Sequence, residues 1–264
     1  MSDFNADQYW EQRLEKSYDE TGVGRRGWGV AFNRWAYRAR RRVFDRVMRT
    51  HVRDASAISA LDIGSGTGVY IRALLDHNVK SVHGIDLTDV AVKNLRQRFP
   101  NAAFERGDIG DEDLTLTIGP VQLITIMDVM FHIVDDARYQ TALRAMVNLL
   151  DDDGVLIMTD GFLNGSEQRL EHIVHRDAAT IDRWCTAAGL ELVDRRPFLV
   201  LMNDPVGPGH RLLKSVRTLV EWVLKRVPGS GMVLGPLLYV PERVLASTLS
   251  HSPSTHISVY RKRD

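Results

Sequence analysis

The sequence predicts a doubly wound α/β fold built on a mostly parallel, seven-stranded sheet, and three observations carry that prediction. Between residues 57 and 160, short apolar runs alternate with segments of helical spacing, the rhythm of strands joined by crossover helices. One run, Val121-Gln122-Leu123-Ile124-Thr125-Ile126-Met127, is almost continuously apolar, as a strand covered on both faces must be. A glycine-rich turn then leads from the first strand straight into a helix, the place where such sheets keep their ligands.

Taken in order, residues 1–55 read as helical, interrupted at Gly22-Val23-Gly24-Arg25-Arg26-Gly27-Trp28-Gly29, and this stretch is a candidate cap or lid. Strands come next at Ile58–Ile63, Ser81–Leu87, Ala102–Gly107, Val121–Met127 and Val155–Thr159. Helices lie between them at Val69–His77 and at Asp89–Phe99, the latter begun by Thr88 and stopped by Pro100. A further helix is capped by Asp135 or Asp136 and runs on Leu143, Met146, Val147 and Leu150 before Gly154; the next spans about Ala178–Ala188 and ends at Gly189. Leu190–Met202 and His256–Arg261 complete the seven strands. The expected organisation is thus a cap at 1–55 and an α/β domain at 56–264, with a lid-like insertion at 203–248 too long for a plain hairpin. Within it Leu212, Leu213, Val216, Leu219, Val220, Val223 and Leu224 have amphipathic spacing up to Pro228-Gly229. They suit an ordinary core-facing helix, a substrate cover or a surface that touches lipid.

Composition narrows the function. The 264 residues are 44% hydrophobic and 26% charged, enough apolar material for a large core and no case for disorder. Lys plus Arg and Asp plus Glu both number 34, so the net charge is zero and a polyanionic nucleic acid is not the expected partner. The single Cys185 makes no internal disulfide, the first residues carry no secretory pattern, and no run has the length of a membrane span. The expectation is a cytoplasmic protein.

The chemistry concentrates at Leu61-Asp62-Ile63-Gly64-Ser65-Gly66-Thr67-Gly68. Its spacing is G-x-G-x-G, because Val69 stands where a nicotinamide-binding turn wants its third glycine and Gly68 comes one position early. Such a loop lets a ligand lie against bare backbone and offers no lysine to a pyrophosphate. Asp86, 18 residues after Gly68, ends the second strand where an acid can accept from ribose hydroxyls, with Leu87 beside it. The third strand leads to Asp108, which can accept from an adenine amino group, and Ile109, which can pack on its ring. Three carboxylates at three successive strand ends favour a cationic nucleoside over a phosphate-rich one.

On these residues the chain resembles the class I S-adenosylmethionine-dependent methyltransferases, over about residues 57–160 and more weakly to the end. The resemblance implies a Rossmann-like sheet of methyltransferase type. It implies that the loop from Asp62 to Gly68 holds the amino-acid part of the cofactor, Asp86 the ribose and Asp108 the adenine, with Met127 at the end of the fourth strand also in the site.

The acceptor is read from the residues just after the fourth strand. Asp128-Val129-Met130-Phe131 lacks the Asn/Asp-Pro-Pro-aromatic tetrad of enzymes that methylate adenine or amide nitrogens. His132 lies just past a central strand's carboxyl end and has a pKa suited to a general base, with Asp128 as its catalytic companion; a structural histidine bonded to backbone is the alternative. Glu171-His172-Ile173-Val174-His175, if helical, puts His172 and His175 on one face, where they would orient His132, bind a sugar, join Asp128 around a divalent cation such as Mg, or simply sit at the surface. Tyr9, Trp28, Asn33, Trp35 and Tyr37 form an aromatic, amide-bearing stretch suited to stacking on a saccharide. The pattern Trp-x-x-Arg, Gly-Val-Gly and Asn33-Arg34-Trp35-Ala36-Tyr37-Arg38, with Phe198 to Pro205, is similar to bacterial, in particular actinobacterial, glycan O-methyltransferases. The expected reaction is therefore O-methylation of a small saccharide or oligosaccharide. Methylation of a lipid-linked or aromatic molecule, and binding of S-adenosylmethionine without turnover, stand as the alternatives, and a metal requirement and a homodimer are left open.

Overall fold

A computed structural model describes residues 4–163, 167–206 and 210–263. The sheet has seven strands in the order β3-β2-β1-β4-β5-β9-β8. They are β1 (Ser59–Ile63), β2 (Ser81–Asp86), β3 (Ala103–Arg106), β4 (Val121–Ile126), β5 (Leu150–Asp160), β8 (Leu190–Leu199) and β9 (Thr255–Lys262). A separate two-residue ladder joins β6 (Gln168–Arg169) to β7 (Val174–His175). The first five strands pair in parallel, and β9 runs antiparallel to both β5 and β8. The chain reverses its winding between β1 and β4, so the carboxyl ends of those strands open a crevice at the centre of the sheet.

The helices form where spacing and caps coincide. Thr88 caps α5 (Asp89–Arg98) by accepting from Ala91 N, and Asp135 caps α6 (Asp136–Leu149) by accepting from Arg138 N. With α4 (Val69–Asp76) and α7 (Ala178–Ala187) they cover the sheet. One apolar cluster centres on Phe44, Ile71, Leu74, Leu95 and Leu123, the other on Leu61, Ile124, Tyr139, Leu143, Met146 and Leu156. Each such buried side chain contributes about 1.5–3 kcal/mol.

The amino-terminal stretch is helical as expected: α1 (Ala6–Lys16), α2 (Glu20–Val23) and α3 (Gly29–His51), with a 3₁₀ turn at Arg26–Trp28. The 23-residue α3 buries Phe44, Val47 and Met48 in the first cluster and Phe32, Ala36 and Ala39 in a third one. That third cluster is completed by the insertion, which forms α8 (Arg211–Arg226) and α9 (Ser230–Thr248). Gly231 and Gly235 let α9 approach α3 closely, since a Cβ at Gly235 would lie 2.3 Å from Trp35 Cδ1.

Three readings of the sequence are corrected. The eighth strand stops at Leu199 rather than Met202, because the buried Glu242 carboxylate of α9 takes the N–H groups of Val200, Leu201 and Met202, each at 2.7 Å. His172 and His175 are not on a helix: His175 pairs with Gln168 in the short ladder, and His172 lies in the bend before it. Of the alternatives for 203–248, the described part packs on α3 as core-facing helices and does not cover the crevice as a lid-like insertion would; residues 207–209 of the insertion, like 1–3 of the cap and 164–166 and 264 of the α/β domain, lie outside the described residues.

Candidate functional site

A cavity of about 590 Å³ opens at the reversal point, within the size range of a site for one small ligand. Its floor is the turn after β1. Gly64 has φ 69° and Gly68 φ 79°, left-handed values that other residues resist. A Cβ on Gly64 would come within 2.3 Å of Val129 Cγ2, and one on Gly68 within 2.4 Å of Phe99 Cε2, so both positions also lack room for a side chain.

Carboxylates hold this turn from beneath. Asp86 Oδ2 accepts from Gly66 N at 2.8 Å, while its Oδ1 accepts from Thr88 N and Thr88 Oγ1 at 3.0 and 2.7 Å. Burial pushes its pKa above the usual carboxylate range. Asp62, at the end of β1, accepts from Thr125 Oγ1 at 2.6 Å through Oδ1; its Oδ2 is buried with no partner. Burial raises its pKa to about 7. A buried, half-satisfied acid under a backbone cradle suits a cationic ligand and disfavours an anionic one.

Of the residues singled out for the cofactor, Gly64, Ser65, Gly66, Asp86, Leu87, Asp108, Ile109 and Met127 line the cavity. Asp62 and Gly68 stand just behind it as supports. Asp108 is already engaged: Oδ1 accepts from Gly110 N at 2.8 Å and Oδ2 pairs with Arg138 Nη2 at 2.5 Å, so a ligand amino group there would share its remaining lone pairs.

Asp128 and His132 line the same cavity. Asp128 has φ 59°, a left-handed value tolerated by aspartate, and is fixed by Asp128 N donating to Thr159 Oγ1 at 2.6 Å and by Arg40 Nε of α3 at 3.1 Å from Oδ2. His132 ends a 3₁₀ turn, with Nδ1 2.9 Å from the carbonyl oxygen of His172. A carbonyl only accepts, so Nδ1 carries the hydrogen and Nε2 the lone pair. Burial, with the neighbouring cations and histidines, depresses the ring's pKa to about 4.

The amino-terminal segment closes the roof. Phe4, Asn5, Ala6, Asp7, Trp10, Leu14 and Val23 line the cavity. Glu11 accepts from Asp89 N and Val90 N at the start of α5 (2.9 and 3.1 Å), Asp7 pairs with Arg106 at 2.6 Å, and Tyr18 Oη donates to Gly66 O at 2.8 Å. The glycine-rich interruption touches the site chiefly through Val23, against which a Cβ on Gly66 would press.

Of the residues expected to meet an acceptor, only Tyr37 lines the cavity. Trp28 is buried in the third cluster under Arg217, whose guanidinium carbon lies 3.9 Å from the ring centroid. Asn33 is buried with Nδ2 donating to Arg25 O and Gly29 O, which makes it a clasp for the glycine-rich loop. Trp35 packs on Tyr239 of α9. Tyr9 meets Trp10 edge to face and packs tilted on His172, and His172 in turn lies parallel to His132, so both brace the site from outside. His175 packs on Phe131, with its pKa lowered to about 4 by burial. Among the described residues no group of three or more His, Cys, Asp or Glu is placed to hold a metal ion. Sequence reasoning gave Tyr18 and Arg138 no role, placed Trp10 and Glu11 only within the aromatic amino-terminal stretch, and read Arg40 only as one of a run of arginines. Trp10 had the signal of its aromatic neighbour, but only the facing of α1 decides which of Tyr9 and Trp10 looks inward.

The sheet order and its flanking helices are those of the Rossmann-like methyltransferase fold. Residues 60–154 match a family model described as a methyltransferase domain. The CcbJ methyltransferase from Streptomyces caelestis is 16% identical with a TM-score of 0.59, covering 98% of this chain and 100% of its own. The N-methyltransferase NodS from Bradyrhizobium japonicum in complex with S-adenosyl-L-homocysteine is 15% identical with a TM-score of 0.58, covering 99% and 100%. The [4+2]-cyclase SpnF is 18% identical with a TM-score of 0.53, covering 84% and 80%. At these identities the likeness shows the fold. A search of curated proteins finds no match.

Proposed function

We propose that the chain transfers the methyl group of S-adenosylmethionine to a hydroxyl of a small saccharide or oligosaccharide, with His132 as general base. The observation that carries this is the state of His132: neutral above about pH 4, with its hydrogen committed to the His172 carbonyl and its free lone pair on Nε2. A hydroxyl is the acceptor that needs such a group, because its proton must leave as the new bond forms.

The cofactor supplies an electrophilic methyl on a sulfonium. Gly64, Ser65 and Gly66 would carry its amino-acid end over Asp62, Asp86 and Leu87 its ribose, and Asp108 and Ile109 its adenine, with Met127 beside them. Asp128, rigid between Thr159 and Arg40, would orient the acceptor. Phe4, Trp10 and Tyr37 offer aromatic faces to a sugar's C–H surface and exclude water once α1 is seated. The same apolar walls favour a second reading, an aromatic or lipid-linked hydroxyl acceptor.

A fold shared with a [4+2]-cyclase does not dictate methyl transfer, so turnover itself is the test. Purified protein is incubated with S-adenosylmethionine and panels of mono- and oligosaccharides, phenols and lipid-linked alcohols, and S-adenosylhomocysteine is measured. Methyl transfer to a saccharide that falls about 100-fold or more in His132→Ala supports the reading. Turnover confined to phenols or lipids selects the second reading, and tight binding without product with any acceptor defeats both.

A further inference from the structure

On the face of α3 away from the cavity, a second cleft of about 310 Å³ is lined by five arginines. Arg42, Arg46 and Arg49 come from α3 at helical spacing, Arg196 from β8 and Arg243 from α9. Arg196 is paired with Asp194, but among the described residues Arg42, Arg46, Arg49 and Arg243 have no carboxylate partner. One acid lines the cleft, Glu242, and its two oxygens are taken by three backbone N–H groups. Five cations against Glu242 and the Asp194 that pairs with Arg196 leave a local excess of +3 in a chain whose formal net charge is zero. Guanidinium groups gathered in this way are suited to the oxygens of a phosphate ester.

The surface beside the cleft is apolar. Val233, Leu237, Val240 and Val244 of α9 succeed one another at helical spacing and are 56–67% exposed. Leu212, Val216 and Leu219 form a second exposed stripe on α8, joined by Trp222. Arg243 and Ser247, which line the cleft, each come three residues after Val240 and Val244, so cleft and apolar face adjoin along α9. Arg211, Lys214, Lys225 and Arg226 of α8 are exposed around the second stripe. An apolar helical face rimmed by Lys and Arg is the surface that lies in a lipid headgroup layer.

From these contacts we infer that the α8–α9 hairpin docks on an anionic phospholipid membrane, its apolar stripes entering the headgroup boundary while the arginine cleft holds a lipid phosphate. A second copy of the chain fits the same face poorly. Two-fold pairing through α9 would bring the two positively charged clefts to one interface, and the hairpin's acids are spent, Glu221 on Lys225 and Glu242 on backbone. The inference is independent of the acceptor proposed above.

The test is co-sedimentation of the full chain with vesicles of phosphatidylcholine alone and of phosphatidylcholine mixed with phosphatidylglycerol, with inorganic phosphate as the competing free anion. Binding is expected to the mixed vesicles only. It should fall roughly 30-fold in Arg46→Ala/Arg49→Ala, at about fivefold for each basic side chain removed. Leu237→Asp/Val244→Asp should abolish sedimentation while leaving the thermal stabilisation by inorganic phosphate intact. Unchanged S-adenosylhomocysteine binding in both variants shows that they are folded. The inference is overturned if neither vesicle binds the protein, if the arginine variant binds as the parent does, or if millimolar inorganic phosphate displaces the protein completely. It is equally overturned if sedimentation velocity shows a dimer that Leu237→Asp/Val244→Asp dissociates.

Discussion

Asp62 gives the sharpest account of how the site stores free energy. In the unfolded chain its carboxyl titrates near 3.8, and in the fold near 7, because burial leaves Oδ2 without a partner. The native state therefore holds the proton more tightly, and stability is greatest below pH 4 and is lost as pH rises through 7. With 1.36 kcal/mol per unit, the stability lost relative to low pH through the Asp62 equilibrium is about 1.7 kcal/mol at pH 5, where only the unfolded carboxyl is ionised, and about 4 kcal/mol at pH 8. Asp62→Asn removes the titration and retains an acceptor for Thr125, but buries an unpaired N–H group at a cost of about 1–3 kcal/mol that does not vary with pH. Urea unfolding of both proteins at the two pH values isolates the carboxylate: the stability of Asp62→Asn relative to the parent should rise by about 2.5 kcal/mol between pH 5 and pH 8. The same variant should bind S-adenosylmethionine more weakly at pH 8, where the parent offers a full negative charge beneath the cradle. A relative stability that does not change between the two pH values would refute the reasoning, because the buried acid would then carry no penalty for a cation to relieve.

Three further outcomes are expected of the site. Glu11→Ala strips two charge-assisted bonds from the first turn of α5 and should weaken roof closure by about 0.5–2 kcal/mol, seen as a several-fold faster release of S-adenosylhomocysteine in stopped flow; an unaltered release rate would mean that α1 does not gate the cavity. Gly68→Ala combines a left-handed backbone with a Cβ 2.4 Å from Phe99 and should cost about 2–5 kcal/mol in urea unfolding. In kcat/KM against pH, the acid limb assigned to His132 should fall near 4 rather than 6.5, since the group must lose its proton to act as a base and burial makes that loss easy.

Much of the molecule was legible because its signals are local. Thr88 and Asp135 mark helix starts by side-chain bonds to residues three positions on, and β4 betrays its central place by being apolar on both faces. The acceptor side was less legible, because facing is decided by packing. Trp28 and Trp35 have the composition of a sugar platform, yet α8 and α9 bury one and pack against the other, while Trp10 and Phe4 take the cavity.

The stretch 171–177, whose two histidines would share a face only if it were helical, forms part of a strand pair for a comparable reason. Val174–His175 gains a partner in Gln168–Arg169, and the carbonyl of His172 is thereby set against His132, two contacts that join positions up to 40 residues apart. The amino-acid order by itself determined the strands, the crossover helices and the glycine turn between acids, since each depends on neighbours a few residues away. Only the tertiary structure decided which aromatic rings roof the cavity, which nitrogen of His132 is free, and that five arginines share one cleft, because those facts depend on how distant segments fill space against one another.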